Sequence, residues 1–149
     1  MVVVFILDIL HIYILKSEVF YMFHHASLLH LCLNLLPLYG FGIALKKYAV
    51  PIFMLTALTG LLFHVIIADT QLMGASAGVF GIITVYSFYN HRVIDFFGIP
   101  FRAKTFVFIV ATISFIMMFF DTTIAHAAHF AGIMSGLVLA TLSIFKKQV

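Results

Sequence analysis

The sequence predicts an all-α fold, a bundle of six transmembrane helices, on three observations: its composition, its apolar segments and its charge distribution. Of the 149 residues, 64% are hydrophobic and only 9% are charged, and the mean hydropathy is +1.22. A soluble domain carries about 25% charged residues. Such a chain requires a lipid bilayer as its solvent. We therefore expect an integral, multi-pass membrane protein, and we place it in a bacterial cell membrane.

Six segments are apolar enough to be candidate membrane spans, each of which takes about 20 residues in a helix. They are residues 2–15, 20–44, 50–68, 74–90, 104–120 and 124–145. The first is short and is interrupted by Asp8 and His11. Pro37 lies inside the second, where we expect a kink because proline removes a backbone hydrogen bond. No linker or repeat divides the chain, so the segments are interpreted as a single domain, residues 1–149.

The charged residues alternate between the loops on the two sides of the predicted bundle. Loops on one side hold seven of the eight basic residues: Lys46, Lys47, Arg92, Arg102, Lys104, Lys146 and Lys147. The other loops contain Lys16 with Glu18, then Asp69, then Asp121. Loops rich in Lys and Arg stay in the cytoplasm, so the loops with Asp69 and Asp121 are predicted to be outside. The net charge of +3 reflects this orientation, and no nucleic-acid partner is expected.

One serine lies in a stretch of small residues, M-G-A-S-A-G-V-F-G-I, at residues 73–82. Ser76 follows Asp69 by seven residues, and His129 follows Asp121 by eight. At about 1.5 Å per residue, both side chains would lie at most roughly 10 Å below the outer loops. A histidine can remove the proton of a serine hydroxyl, which makes the serine a nucleophile. Ser76 and His129 are therefore a candidate catalytic dyad, without a carboxylate at the depth of the histidine.

A second polar cluster lies in the second segment, F-H-H-A-S-L-L-H-L-C-L-N-L-L. His30 and Asn34 are four residues apart, so they share a helix face. We expect His25 on the same helix, about 140° around the axis from His30. An amide and a histidine N–H are suitable hydrogen-bond donors to an oxyanion. Polar residues inside a membrane span usually face the bundle interior and mark function.

Together, H-x4-H-x3-N, G-A-S-A-G-V-F-G and A-H-F-A-G-I-M-S-G resemble the rhomboid family of intramembrane serine proteases, over about residues 22–145. The resemblance implies a serine endopeptidase that cleaves transmembrane segments of other membrane proteins without a cofactor or metal. It implies Ser76 as nucleophile, His129 as general base, and His30 and Asn34 as oxyanion donors beside the Ser76 backbone N–H, with His25 in support. It also implies packing roles near the site for four residues: Gly74, Phe80, Gly132 and Gly136.

Each motif also has a simpler interpretation, and two other functions stay open. The small residues are typical of helix packing in membranes, and His30 and Asn34 could form interhelical hydrogen bonds. One alternative is a catalytically inactive rhomboid-like protein that binds membrane clients. Another is a haem- or metal-binding protein that uses the histidine pair 126 and 129 with a further histidine at 24, 25 or 64, although the zinc-protease pattern H-E-x-x-H is absent. The co-occurrence of serine, histidines and asparagine in three separate helices favours the protease.

Overall fold

The computed structural model describes residues 1–2, 5–6, 18–68, 71–90, 93–96 and 98–142. Within these ranges the chain forms five α-helices: α1 Leu28–Leu45, α2 Ala49–Ile67, α3 Ser76–Tyr89, α4 Ala103–Met117 and α5 His126–Thr141. A 3-10 helix, Glu18–Phe23, precedes α1, and another, Lys46–Tyr48, connects α1 to α2. Most of the predicted first span, and the charged residues at 16, 69, 92, 146 and 147, lie outside the described residues. The count of six helices is therefore not confirmed.

The described helices differ in length. One helical run, Leu28–Ile67, is long and apolar enough by itself to cross a membrane, and its 40 residues comprise α1, the connecting 3-10 helix and α2. Lys46, with φ +52, interrupts the α-helical conformation within this run. Helices α3, α4 and α5 have 14, 15 and 16 residues. At about 1.5 Å per residue they are roughly 21–24 Å long, shorter than the hydrocarbon core of about 30 Å.

A small β-hairpin lies between α3 and α4, where a loop is expected from the sequence, while the described chain is mostly helical as the all-α prediction requires. Strands β1, Val93–Phe96, and β2, Ile99–Arg102, are antiparallel, with Val93 opposite Arg102 and Phe96 opposite Ile99. Gly98 has φ +80 at the turn, and its N–H donates a 2.7 Å hydrogen bond to the Asp95 carboxylate. The fold is thus mostly helical with a two-stranded ribbon.

Helix α1 begins at Leu28, later than the apolar pattern of residues 20–44 predicts. Ser27 is its N-cap: the backbone is extended there, and the hydroxyl accepts a 3.1 Å hydrogen bond from the His30 N–H. Serine is favoured at this position because it satisfies an amide that has no partner within the helix. His25 consequently precedes the helix. The expectation that His25 lies on the same helix as His30, about 140° away, is wrong.

Helix α3 is the centre of the bundle and contacts all four other α-helices. Nearly all of its residues after the first are buried: Ala77, Gly78, Val79, Gly81, Ile82, Ile83, Thr84, Val85, Tyr86 and Ser87. A helix that is apolar or small on every side is typical of a fully surrounded position. Ser76 is the first residue of this buried helix, so the surrounding bundle holds it in place.

Contacts between helix ends show which residues share an end of the bundle. The Tyr89 hydroxyl donates a 2.6 Å hydrogen bond to the Ala140 carbonyl, which joins the last turns of α3 and α5. The rings of Phe41 and Tyr86 pack 4.9 Å apart near the ends of α1 and α3. The first turns of α1, α3 and α5 therefore lie together at the opposite end, which is the end predicted to face outward.

Candidate active site

Ser76 follows a sharp turn and begins α3. Gly74 has φ +98, a conformation that side-chain-bearing residues rarely adopt, and its N–H donates a 3.1 Å hydrogen bond to the Tyr21 carbonyl. The first amides of an α-helix lack partners within the helix and carry a partial positive charge. Ser76 is partly buried at this end of α3. Its hydroxyl is therefore beside backbone donors that suit a developing negative charge.

His129 lies within hydrogen-bond distance of Ser76. The serine Oγ is 2.6 Å from the histidine Nε2, across the contact between α3 and α5. Two glycines of α5 allow this close approach. A Cβ at Gly132 would lie 2.9 Å from Cα of Ala77, the residue after the serine, and a Cβ at Gly136 would lie 2.8 Å from the Gly81 carbonyl oxygen.

Two aromatic rings hold the His129 imidazole from different helices. Phe80, one turn after Ser76 in α3, contacts it edge to face with ring centroids 5.1 Å apart. His126, one turn earlier in α5, contacts it edge to face at 5.9 Å. Together with the bond to Ser76, these contacts restrict the rotation of the imidazole.

His30 lies against the turn that precedes Ser76. A Cβ at Gly74 would be 2.5 Å from the His30 Nε2, so the glycine is required for the imidazole to occupy this position. The Ala26 N–H donates a 3.4 Å hydrogen bond to the His30 Nδ1. A neutral histidine that accepts at Nδ1 carries its proton on Nε2. His30 therefore directs an N–H donor toward the turn at Gly74, two residues before the serine.

His25 supports His30 from the segment before α1. The two rings are 5.1 Å apart and nearly perpendicular. The His25 Nδ1 is 3.2 Å from the Phe23 carbonyl oxygen, and His25 is buried. His25 and His30 are therefore in contact, with His25 in the non-helical segment that precedes α1.

Asn34 lies one turn below His30 in α1 and is only 3% exposed. Its amide nitrogen donates a 2.8 Å hydrogen bond to the His30 carbonyl oxygen. The amide group has two N–H donors, so this bond uses one of them.

Tyr21 is a residue whose role sequence reasoning missed. Its hydroxyl donates a 2.7 Å hydrogen bond to the Ala57 carbonyl of α2, while its own carbonyl accepts the Gly74 N–H. It therefore ties the Gly74 turn to the bundle. A buried tyrosine normally forms a hydrogen bond through its hydroxyl, but the sequence pattern does not indicate which group is the partner of Tyr21.

Asp121 and His126 form a second polar group beside the dyad. The Asp121 carboxylate accepts a 2.8 Å bond from the Thr123 N–H, a 2.6 Å bond from the Thr123 hydroxyl and a 3.0 Å bond from the His126 Nε2. The bonds from Thr123 and then that from His126 lower the pKa of Asp121 to about 2. Sequence reasoning did not connect Asp121 with His126 and considered His126 only as a possible metal or haem ligand together with His129. Across the described ranges, no three His, Cys, Asp or Glu side chains are arranged to hold a metal ion.

A bundle of apolar helices with a serine–histidine contact between two of them is the arrangement expected of a membrane-embedded serine hydrolase. The comparison with family models identifies the family. The model of the Rhomboid domain matches residues 15–145, which is most of the chain. The chain therefore belongs to the rhomboid family, whose members are integral membrane proteins and generally intramembrane serine proteases. No individual curated protein and no solved structure matches it. The resemblance inferred from the three motifs is confirmed at the level of the family.

Proposed function

We propose that this chain is an intramembrane serine endopeptidase that cleaves transmembrane segments of other membrane proteins. The observation that carries the proposal is the 2.6 Å contact between the Ser76 Oγ and the His129 Nε2. A hydroxyl at this distance can transfer its proton to the imidazole as it attacks a peptide carbonyl, which is the essential requirement for serine nucleophiles. Membership of the rhomboid family supports the substrate class.

The first half of the reaction makes an acyl-enzyme. The Ser76 oxygen bonds to the scissile carbonyl carbon while its proton moves to the His129 Nε2. The tetrahedral intermediate then collapses, the C–N bond breaks, and His129 gives the same proton to the leaving amine. In the second half, the oxygen of a water molecule bonds to the ester carbonyl carbon while a proton of the water moves to His129. The bond between that carbon and the Ser76 oxygen then breaks, the carboxylic product leaves, and His129 returns the proton to Ser76.

Three donors are proposed for the oxyanion of the tetrahedral intermediate. They are the Ser76 backbone N–H, the His30 Nε2–H and the free N–H of the Asn34 amide. The first is supported by the helix start, and the second by the tautomer that the Ala26 amide imposes on His30. Removing one such donor typically costs about 10²–10³ in rate.

The proposal is tested by cleavage of a fluorescently paired transmembrane peptide in liposomes that contain the purified protein. Ser76→Ala and His129→Ala should each abolish cleavage, and the double variant should lose no more, because the two residues act as a unit. Ser135→Ala is the matched control: this serine lies on α5 one and a half turns after His129, and its hydroxyl contacts Thr59. Cleavage by Ser76→Ala would refute the proposal. A folded wild type that binds the peptide without cleaving it would identify an inactive, client-binding member of the family.

A further inference from the structure

The segment before α5 is ordered around one carboxylate. Asp121 accepts both the backbone N–H and the hydroxyl of Thr123, and it also accepts the Nε2–H of His126. Because an ionised carboxylate only accepts hydrogen bonds, the His126 Nε2 carries a proton. This arrangement determines which His126 nitrogen is the donor.

The other His126 nitrogen is buried. His126 is 9% exposed, and its Nδ1 has no hydrogen-bond partner among the residues that the structure describes. In the neutral ring this nitrogen is an acceptor, since the proton is on Nε2. Burying an acceptor without a partner is costly, and such groups usually have a functional explanation.

The neighbour of His126 is the imidazole that becomes charged during the proposed reaction. The rings of His126 and His129 are 5.9 Å apart and nearly perpendicular. When His129 takes the serine proton, its Nδ1–H needs an acceptor and its positive charge needs compensation. In serine proteases with a triad, a carboxylate beside the histidine meets both needs. Of the two carboxylates whose side chains the structure describes, Asp95 lies in the hairpin, and Asp121 is the one next to His126.

A cavity of about 180 Å³ lies beside His126. Its walls include Asp121, His126 and His64 of α2. A water molecule occupies about 30 Å³ in the liquid, so the cavity is large enough for several. It lies between the last residues of α2 and the segment before α5, at the end of the bundle that holds Ser76. The hydrogen bonds from Thr123 and then that from His126, which lower the pKa of Asp121 to about 2, keep its carboxylate ionised beside the buried ring.

We infer that His126 and Asp121 are positioning residues that replace the carboxylate of a catalytic triad. Asp121 fixes the neutral His126 ring with its proton on Nε2, and the Nδ1 lone pair stabilises the imidazolium that forms on His129, directly or through one water. No proton leaves His126 in this scheme: the serine proton resides on His129 and passes to the leaving amine. The inference rests on the proposed function. It adds the two groups that compensate the charge on His129 where a triad would have a carboxylate.

The test measures how fast a fluorophosphonate probe labels Ser76 at neutral pH. Asp121→Asn and His126→Phe should each slow labelling at neutral pH by about tenfold or more, since a carboxylate in direct contact supplies about 10⁴-fold and an indirect one supplies part of that. The double variant should be no slower than the slower single variant.

Thr123→Val is the matched control, because it removes one hydrogen bond from the same carboxylate but leaves its charge and its contact with His126. It should label within about twofold of wild type, as expected for an exposed polar contact. Asp121→Glu should recover part of the rate that Asp121→Asn loses. Wild-type rates in Asp121→Asn would overturn the inference, as would equal losses in Thr123→Val that follow a fall in melting temperature. A wild type that the probe does not label at Ser76 would instead overturn the proposed function.

Discussion

At the scale of single residues, Gly74 has the most demanding position near the candidate site. It combines φ +98 with a ring of His30 where a Cβ would stand. Two separate requirements therefore exclude a side chain: the backbone conformation and the space that the proposed oxyanion donor occupies.

Gly74→Ala should slow labelling of Ser76 by about 10²–10³, because the added methyl displaces a donor. Gly98→Ala is the control, since Gly98 has φ +80 with nothing within 4 Å of the added Cβ. Both variants should lose about 1–2 kcal/mol of unfolding free energy from the left-handed conformation. Normal labelling in Gly74→Ala would show that His30 is not required at this position.

At Asn34, a packing role and a catalytic role predict different results for the same substitution. If it donates to the oxyanion, Asn34→Ala should reduce turnover by about 10²–10³ with little change in substrate affinity, because the bond strengthens in the transition state. Thr112→Ala is a matched control: it also removes a side-chain bond to the carbonyl four residues earlier, at an exposed position of α4. An Asn34→Ala enzyme with near-normal turnover and a lowered melting temperature would make Asn34 structural.

Spacing alone was enough to put His30 and Asn34 on one face, since both lie within a continuous helix. It failed for His25, because Ser27 caps α1 and His25 therefore lies before the helix begins. Serine is a typical N-cap residue, so Ser27 could have indicated the helix start. The apolar residues on both sides of it favoured a helix that began earlier, at residue 20. The tautomer of His30 and the Asp121–His126 bond depend on distances that no one-dimensional pattern contains.

At the scale of elements, the contact between α3 and α5 brings the serine to the histidine. Gly132 lies directly over the Ala77 carbonyl, so any side chain there meets backbone rather than a movable group. Overpacking of this kind typically costs about 1–3 kcal/mol.

Gly132→Ala should therefore lower the unfolding free energy by that amount and should slow labelling of Ser76, because α5 must move away from the residue next to the serine. Gly40→Ala, in α1 with nothing within 4 Å of the added Cβ, should instead leave stability unchanged or raise it by up to about 1 kcal/mol. Chemical denaturation and probe labelling of both variants provide the measurement. Equal behaviour of the two variants would contradict the close approach of α3 and α5.

Hydropathy predicted the approximate positions of all five described α-helices because each is dominated by apolar residues. It did not predict the hairpin at Val93–Arg102, whose alternation is short and contains Pro100 and Gly98. It also placed the end of α4 three residues too late, at residue 120 rather than Met117, since apolar residues continue beyond the last helical turn.

At the scale of the whole molecule, orientation determines from which side substrates and water reach the site. Charge alone predicts the side, because basic residues flank the end opposite Ser76. Which helices are neighbours was not predictable: matched depth of Ser76 and His129 permits a contact, but packing of small residues on α3 and α5 creates it.

Cysteine accessibility in a Cys32→Ser background tests the orientation. Lys47→Cys should react with a membrane-impermeant maleimide only after the membrane is opened, whereas Thr122→Cys should react in intact cells. Both positions are exposed at opposite ends of the bundle, so they serve as controls for each other. Labelling of position 47 from outside would reverse the orientation and place the candidate site on the cytoplasmic side.

The central claim is that His129 activates Ser76, and mass-spectrometric mapping of the fluorophosphonate adduct tests it most directly. The folded wild-type protein in detergent should carry the adduct on the peptide that contains Ser76, and His129→Asn should abolish the modification while retaining the wild-type melting transition. Other serines, such as Ser87 and Ser135, should stay unmodified in both. An adduct on a different serine, or full modification of Ser76 in His129→Asn, would contradict the assignment of the dyad.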